Sequence, residues 1–176
     1  MPDRTKNYWI QRAAYFHRHY QQTSLSLRTF VGKFLDKRTS TLLKLMPTSK
    51  NTVLLDIGCG SGIHLKVFAP RYKLIVGVDY SQPMLNLAKS ELQRLELHNW
   101  KLIMADAHTL PLPDKQFDCV IAMGLLDYVS SPAVVLSEVS RVLKTGGVVI
   151  ATIPKQPSFF FIFAHQTGNY YPQSNL

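Results

Sequence analysis

Three glycines at alternate positions, Gly58, Gly60 and Gly62, follow an apolar run that begins at Val53. Glycine allows a sharp turn and lets the backbone approach a ligand more closely than a residue with a Cβ atom can. Asp56 precedes the first glycine, which predicts a carboxylate at the carboxyl end of a strand. Together these residues predict a loop that binds a nucleoside-containing cofactor.

The spacing of the glycines argues against two common phosphate-binding loops. A dinucleotide-binding loop has its third glycine where this chain has Ile63, and that glycine allows a helix to approach the pyrophosphate closely. No Gly-Lys-Ser/Thr ending follows, as a P-loop requires. The sequence therefore disfavours NAD or FAD, leaves a dehydrogenase as a minor alternative, and rejects a P-loop.

Carboxylates also end two further apolar runs. Asp79 follows Gly60 by about 20 residues, a spacing at which a carboxylate can accept hydrogen bonds from a ribose diol. Asp106 ends the next run, which begins at Trp100. The carboxyl ends of parallel strands lie side by side above one crevice. Each carboxylate alone is also typical of a helix cap or a loop ion pair, but the ordered set favours a ligand site.

Four motifs, in this order, resemble those of the class I S-adenosylmethionine-dependent methyltransferases. They are Leu55-Asp-Ile-Gly-Cys-Gly-Ser-Gly62, Val76-Gly-Val-Asp-Tyr-Ser81, Ala105-Asp-Ala-His-Thr-Leu-Pro-Leu-Pro-Asp-Lys-Gln-Phe-Asp118 and Glu138-Val-Ser-Arg-Val-Leu-Lys-Thr-Gly-Gly147. The resemblance covers roughly residues 51 to 153. It is nearest to the small-molecule branch, similar to the ubiquinone and menaquinone biosynthesis methyltransferases.

This resemblance implies S-adenosyl-L-methionine as the cofactor. The glycine loop would cradle the methionine and ribose parts, Asp79 would hold the ribose hydroxyls, and Asp106 would contact the adenine amine. The implied cofactor-binding residues are Asp56, Gly58, Cys59, Gly60, Gly62, Asp79, Tyr80, Asp106, Ala107 and Met123. Acidic side chains suit this cofactor because it has no phosphate for a basic clamp to hold.

The implied chemistry requires little from the protein, because a sulfonium carries an activated methyl group and the enzyme mainly positions the acceptor. The fourth apolar run extends from Phe117 to Met123. In similar enzymes the segment after this run faces the methyl group. Asp127 and Tyr128 are therefore candidates for a catalytic base, at positions where relatives often have histidine. His108 is predicted to be an ordinary loop residue. His17 and His19 would diverge on a helix, so no metal site is predicted.

Two narrower activities are disfavoured. The segment Met123-Gly-Leu-Leu126 stands where similar enzymes that methylate the amino group of a base have Asn/Asp-Pro-Pro-Tyr/Phe. Cys59 lies in the glycine loop and Cys119 within the fourth apolar run, so neither is placed as the nucleophile that cytosine C5 methylation requires. We therefore expect neither of these reactions.

The composition is that of an ordinary globular domain. The 176 residues are 46% hydrophobic and 18% charged, which allows a sizeable core. The longest apolar run near either end, Phe159 to Ala164, is far shorter than the ~20 residues of a spanning helix. The first residues contain no apolar signal core. Two cysteines not placed for a disulfide agree with this, so we expect a cytoplasmic protein without a transmembrane segment.

Positive charge is concentrated near the N-terminus. Residues 1–50 contain ten Lys and Arg against two acidic residues, a net charge of +8, whereas residues 51–176 have a net charge of +1. This asymmetry predicts an anionic partner, which could be RNA, an acidic membrane surface or an acidic acceptor. A solvated helical face is an equally good interpretation, because the basic residues form no continuous block.

The patterning predicts an α/β protein with a Rossmann-like, doubly wound parallel sheet. A short helix is expected from Ile63 to Phe68, and Ser81 is predicted to cap a helix whose buried face consists of Met84, Leu85, Ala88, Leu92 and Leu95. Residues 8–20 predict a short helix with Tyr15 and Tyr20 as lid contacts by resemblance, and a second helix is expected from about Leu25 to Met46. The predicted domains are a basic helical cap at 1–50, an S-adenosylmethionine-binding domain at 51–153 and an incomplete C-terminal segment at 154–176.

The C-terminal segment is short for the resembled family, whose sheet has seven strands with a final hairpin. Only 23 residues follow Ile153, and residues 159–163 fit either a strand or a helix. We expect the last strands to be missing or incomplete. A fragment, a truncated product or an edge completed by a second subunit would explain this, so a homodimer is one possible state.

The resulting functional prediction is methyl transfer to a small-molecule or lipid-like acceptor. An RNA methyltransferase that uses the basic N-terminal segment is the first alternative, and its binding would weaken steeply with salt. A cofactor-binding subunit without activity of its own is the second, suggested by the short C-terminus.

Overall fold

The protein forms one sheet covered by helices. The structure, a computed structural model, describes residues 11, 30–155, 159–166 and 169–171, with side-chain surroundings for residues 11 and 38–153. The strands are β1 (Val53–Ile57), β2 (Leu74–Asp79), β3 (Trp100–Met104), β4 (Phe117–Ala122), β5 (Leu143–Lys155), β6 (Phe159–Gln166) and β7 (Asn169–Tyr171). The helices are α1 (Phe30–Leu45), α2 (Ile63–Phe68), α3 (Gln82–Arg94) and α4 (Pro132–Val142), and α2 continues into a 3₁₀ turn at Ala69–Arg71.

The strand order is β3-β2-β1-β4-β5-β6-β7. The first five strands are parallel: β1 pairs with β2 and β4, β2 pairs with β3, and β4 pairs with β5. This confirms the predicted Rossmann-like sheet. From β1 the chain adds strands first toward β3 and then, from β4, toward the opposite edge of the sheet. Open α/β sheets bind ligands at such a reversal, beside the carboxyl ends of the strands.

Two hydrophobic clusters cover opposite faces of the sheet. One cluster includes Leu65 and Phe68 of α2 and Leu85 and Leu92 of α3. The other includes Val139 and Val142 of α4 packed with residues of β1, β2 and β4. Strands buried on both faces read as continuous apolar runs, which is why β1, β2 and β4 were recognisable from the sequence.

Helix α3 follows the predicted pattern except at its end. The Ser81 hydroxyl accepts a hydrogen bond from the Met84 N–H at 3.5 Å, which confirms Ser81 as the N-cap. The predicted buried face is confirmed at Met84, Leu85, Ala88 and Leu92. Leu95 was expected on this face but is 41% exposed, because the helix ends at Arg94 and leaves Leu95 as its C-cap.

The C-terminal segment completes the sheet with antiparallel strands. β6 pairs with β5, and β7 pairs with β6. Residues 159–163, for which strand and helix were both open, therefore lie in a strand. Seven strands therefore occur within the described ranges, and both final strands are present among them.

The N-terminal predictions are only partly testable. Helix α1 agrees with the second predicted helix from Phe30 onward. Leu42 and Met46, two of its apolar residues, are buried against the sheet. The predicted helix at residues 8–20, with Tyr15, Tyr20, His17 and His19, lies outside the described residues. The boundaries of the three predicted domains remain predictions.

A charged cluster fastens α4 to the loop between β3 and β4. Glu138 forms two short hydrogen bonds to the Arg141 guanidinium, both at 2.8 Å, and its Oε2 also accepts the Leu110 N–H at 2.7 Å. Arg141 donates in turn to the carbonyls of Leu110 and Leu112, at 3.0 and 2.7 Å, and to Asp114 at 2.7 Å. These contacts give the Glu138 and Arg141 of the fourth motif a structural role.

We expect Glu138→Gln to destabilise the fold by about 1 kcal/mol at pH 7, because it removes the charge from a partly exposed, bidentate pair. Hydrogen bonds from Arg141 lower the pKa of Glu138 to about 2 from its usual 4.5. Because its pKa is lower in the folded protein than in the unfolded chain, Glu138 stabilises the fold above pH 4.5. This stabilisation disappears as the pH falls toward 2. Urea unfolding at pH 7, 4 and 3 should show the difference from wild type shrinking with acidity.

The control for this prediction is Glu96→Gln, which removes the charge from an exposed side chain that forms no ion pair among the described residues. Exposed charges of this kind contribute little to stability, so the control should unfold like the wild type at every pH. A stability difference for Glu138→Gln that stays constant down to pH 3 would contradict the proposed pKa linkage.

Candidate functional site

The glycine loop joins β1 to α2 and is anchored on β2. The N–H groups of Gly58 and Cys59 both donate to the Val78 carbonyl, at 2.8 and 3.0 Å. Gly60 has φ +52°, a left-handed conformation that favours glycine, and a Cβ built there would meet no atom within 4 Å. The loop therefore turns an open backbone face outward at the centre of the sheet's carboxyl edge.

Asp79 at the end of β2 points at this loop. Its Oδ2 accepts the Gly60 N–H and its Oδ1 accepts the Ser81 N–H, both at 2.9 Å. Burial raises the pKa of Asp79, and the two backbone hydrogen bonds oppose that shift. A carboxylate has about four acceptor sites, so Asp79 can accept further hydrogen bonds from a diol.

Asp56 is buried at the carboxyl end of β1, where the sequence predicted it. It is 1% exposed, and neither carboxylate oxygen has a hydrogen-bond partner among the described residues. His64 in α2 faces it, with Nδ1 at 3.7 Å from Oδ2. A buried carboxylate without a hydrogen-bond partner is costly, so its presence beside the loop suits a ligand that brings a donor.

Asp106 follows β3 and is bound to its own loop. Its Oδ1 accepts the His108 N–H at 2.9 Å and lies 2.6 Å from His108 Nδ1. The other ring nitrogen, Nε2, contacts Ser130 and Ser131 at the start of α4. His108 therefore lies in a loop, as predicted, and both of its ring nitrogens make contacts there.

The remaining predicted contact residues surround the loop. Cys59 and Met123 are buried, at 6% and 7% exposure, while Tyr80 and Ala107 are half-buried. Burial, followed by the nearby carboxylates of Asp56 and Asp79, raises the pKa of the Cys59 thiol well above its usual value. Cys59 therefore remains a protonated thiol and acts as a packing residue.

Cys119 is equally inert. It is fully buried, burial raises its thiol pKa, and its Sγ lies 3.7 Å from the Met46 sulfur. Both cysteines are free. This agrees with the expectation that neither serves as a nucleophile.

The loop after β4 adjoins the glycine loop. Leu125 Cδ1 lies 3.1 Å from the position of a Cβ on Gly58, and the Gly124 N–H donates to Thr152 Oγ1 at 2.6 Å. This loop carries the two candidate catalytic residues, and both are exposed, Tyr128 by 46%. Partial burial raises the pKa of Asp127.

Two site residues were missed by sequence reasoning. Arg38 of α1 reaches this loop, with Nη1 3.8 Å from the position of a Cβ on Gly124. His64 faces Asp56 from α2. The position of His64 directly after the glycine loop was a usable signal, whereas nothing in the sequence pairs Arg38 with a residue so far along the chain.

A separate cleft of about 340 Å³ lies at the opposite edge of the sheet. Thr52 and Asp118, at the amino ends of β1 and β4, line it together with Lys144, whose Nζ lies 2.7 Å from Asp118 Oδ1. This ion pair and the Val53 N–H at 2.8 Å use both Asp118 oxygens. Because ligands of open α/β sheets bind at carboxyl ends, we assign no cofactor to this cleft.

Among the residues that the structure describes, no group of three or more His, Cys, Asp or Glu side chains could hold a metal ion. Within the same residues, no helix has the length and apolar character needed to cross a membrane.

The described residues fit S-adenosyl-L-methionine. The open face at Gly60 admits the close approach of a ligand, Asp79 offers acceptors for a ribose diol, and Asp56, which has no hydrogen-bond partner among the described residues, offers an acceptor for an amine. The donor and acceptor set thus agrees with a phosphate-free nucleoside that carries an amino-acid tail.

Comparison with known proteins also identifies a methyltransferase domain. Residues 55–151 match the family described as Methyltransferase domain. A phosphatidylethanolamine N-methyltransferase of Cereibacter sphaeroides is 37% identical over 98 residues, which cover 55% of this chain and 48% of that protein. A demethylmenaquinone methyltransferase of Listeria welshimeri is 36% identical over 123 residues, which cover 66% of this chain and 50% of that protein.

The fold is similar to that of solved structures. The YcgJ protein of Bacillus subtilis superposes with a TM-score of 0.64 at 28% identity, over 68% of this chain and 52% of that one. The chain spans about half the length of the curated relatives described above. The family match covers more than half of the chain and includes the glycine loop and the ends of β2 and β3. The chain therefore belongs to the class I S-adenosylmethionine-dependent methyltransferases.

Proposed function

We propose that this protein binds S-adenosyl-L-methionine above the carboxyl ends of β1, β2 and β3 and transfers its methyl group to a small-molecule or lipid-like acceptor. The proposed cofactor contacts are Asp56, Gly58, Cys59, Gly60, Gly62, Asp79, Tyr80, Asp106, Ala107 and Met123. The family match and the methyltransferase relatives support this proposal.

One observation carries the proposal: the 2.9 Å hydrogen bond from the Gly60 N–H to Asp79, beneath an open backbone face. The bond holds the glycine loop and the carboxylate in one fixed arrangement before a ligand arrives. A preorganised site loses less entropy when it binds, so the arrangement favours a nucleoside that meets both groups.

The bound cofactor would supply an activated methyl group, so the residues of this chain would bind, orient and exclude water. Asp79 would accept hydrogen bonds from the ribose hydroxyls, and Asp106 from the adenine amine. Asp56 would accept from the amino group of the methionine tail, which would give its buried oxygens partners. Leu125 would shield the loop beside Gly58 from water.

Asp127 and Tyr128 remain the candidates for a catalytic base. Their exposure and their place after β4 would allow contact with an acceptor. The raised pKa of Asp127 goes in the direction that makes a carboxylate a better proton acceptor. A base is needed only where the acceptor atom must lose a proton.

The proposed acceptor class rests on two curated relatives whose names specify a phospholipid and a quinone precursor. Exposed apolar side chains near the loop after β4, including Tyr128 and Val134, would suit an acceptor of this kind. A cytoplasmic location belongs to the same proposal, and the two free cysteines support it.

The test is isothermal titration with S-adenosylmethionine, S-adenosylhomocysteine and, as a control, NADH. We expect micromolar binding of the two sulfur ligands and none of NADH, followed by turnover with phospholipid or quinone acceptors. NADH binding alone would overturn the cofactor assignment. A thermal melt of the same sample separates a misassigned loop from an unfolded one.

Two alternatives keep specific support. RNA methylation is favoured by the +8 charge of residues 1–50 and predicts RNA binding that weakens steeply between 50 and 200 mM salt, by about tenfold or more. If the protein is a cofactor-binding subunit without activity, it should bind the cofactor but transfer no methyl group. A homodimer would appear in light scattering as a particle of twice 20.0 kDa.

A further inference from the structure

We propose that His108 is a positioning residue, which orients Asp106 and connects the loop after β3 to the start of α4. The proposal rests on the proposed function, because it requires Asp106 to lie beside the adenine amine. His108 would act through Asp106 and would not touch the reacting atoms.

The contacts of the two ring nitrogens determine which one carries the proton. The Ser131 backbone N–H lies 3.3 Å from Nε2 and can only donate, so Nε2 must be an unprotonated acceptor. Ser130 Oγ, at 3.2 Å, can donate to the same nitrogen. The proton therefore resides on Nδ1, which donates to Asp106 Oδ1 at 2.6 Å. The ring thus bridges Asp106 and the start of α4.

This bridge restricts the Asp106 carboxylate. Oδ1 accepts from both the backbone N–H and the ring Nδ1–H of His108, at 2.9 and 2.6 Å, so rotation of the carboxylate would break two hydrogen bonds. The side chain of Asp106 is 39% exposed, and the ring adds a second hydrogen bond to Oδ1 that restricts its orientation. A fixed orientation lowers the entropic cost of binding an amine.

The same bridge couples two loops that meet at the site. Ser131 precedes α4 as its N-cap residue, and its side chain makes no capping hydrogen bond. Glu138 and Arg141 fasten the other end of α4 to residues 110–114. His108 thus provides the connection at the end of α4 nearest the loop that carries Asp127 and Tyr128.

Two substitutions separate the two functions of the ring. In His108→Asn the amide nitrogen occupies the position of Nδ1, so it can donate to Asp106 but cannot reach Ser131. In His108→Gln the amide oxygen can accept from Ser131, but no donor remains at the Nδ1 position. His98→Ala, an exposed histidine on another loop, is the matched control.

The experiment compares two ligands by titration: S-adenosylhomocysteine and S-inosylhomocysteine, which has an oxygen in place of the adenine amine. The wild type should prefer the adenine form. His108→Gln should reduce that preference about tenfold by weakening the adenine form only. His108→Asn should keep the preference within about threefold, and the His98 control should keep it unchanged. Hydrogen exchange at the Ser131 amide should accelerate in His108→Asn but not in His108→Gln.

The outcomes distinguish this inference from the proposed function. If the wild type does not distinguish the two ligands, the assignment of Asp106 fails, and the inference fails with it. If the wild type distinguishes them but His108→Gln keeps the full preference, or weakens both ligands equally, the positioning role is overturned while the cofactor assignment stands. If the glutamine variant does not fold, His108→Ala provides the same comparison with the same outcomes.

Discussion

Asp79→Ala should weaken the binding of S-adenosylhomocysteine by roughly ten- to a hundredfold. The substitution leaves two ribose hydroxyls without a charged acceptor, a loss of about 1–3 kcal/mol. It also removes the acceptor that holds the Gly60 and Ser81 N–H groups, so the loop would have to be ordered by the ligand itself. Titration calorimetry measures this loss directly.

Asp79→Asn is the informative partner of this variant. Its amide oxygen can still accept one backbone N–H, while its NH₂ group cannot accept the hydrogen bond that the other carboxylate oxygen accepts now. We expect an intermediate affinity and a melting temperature closer to that of the wild type. A folded Asp79→Ala protein with unchanged affinity would overturn the assignment of Asp79 to the ribose.

Gly60→Val should abolish measurable cofactor binding while the protein remains folded. A Cβ at Gly60 meets no atom within 4 Å, so the branched side chain finds room in the structure and projects into the space proposed for the ligand. The remaining cost is conformational, because φ at this position is +52° and β-branched residues disfavour that region, by about 1–2 kcal/mol. A thermal melt should fall by several degrees, whereas titration should detect no binding.

Gly77→Ala in β2 should show the opposite pattern. A Cβ there would lie 2.8 Å from Leu65 Cδ1, 2.9 Å from Cys59 Sγ and 3.0 Å from Leu102 Cδ2, all in the packed core. Overpacking of this kind costs about 1–3 kcal/mol. We expect a lower melting temperature with affinity largely retained by the protein that remains folded. If Gly60→Val binds ligand normally, the open face of the loop is not the cofactor site.

The local elements were predictable because their signals are short-range. β1, β2 and β4 are continuous apolar runs, and Ser81 and the boundary of α2 at Phe68 followed from caps and periodicity. The glycine spacing predicted the loop, and its resemblance to a known family supplied the order of the carboxylates. The prediction that Leu95 is buried was wrong, because Leu95 lies one residue beyond the end of the helix and no longer shares its buried face.

The tertiary structure decided how far each carboxylate is buried and what it contacts. Asp56 and Asp79 look equivalent in the sequence, yet Asp56 has no hydrogen-bond partner among the described residues, whereas Asp79 accepts two backbone N–H groups. Hydrogen bonding depends on how β1, β2 and the glycine loop pack in three dimensions. The sequence contains no direct measure of that packing.

The sequence by itself determined the parallel α/β sheet, the glycine loop and the methyltransferase family, because each is encoded in periodicity or in a contiguous motif. Only the tertiary structure brought His108 to Ser131, Glu138 to Leu110 and Arg38 to Gly124. These contacts join residues that are more than 20 positions apart, and the relative placement of helices and loops sets them. Since side chains at such distances meet only after the core has packed, their roles at the site could be read only from the folded chain.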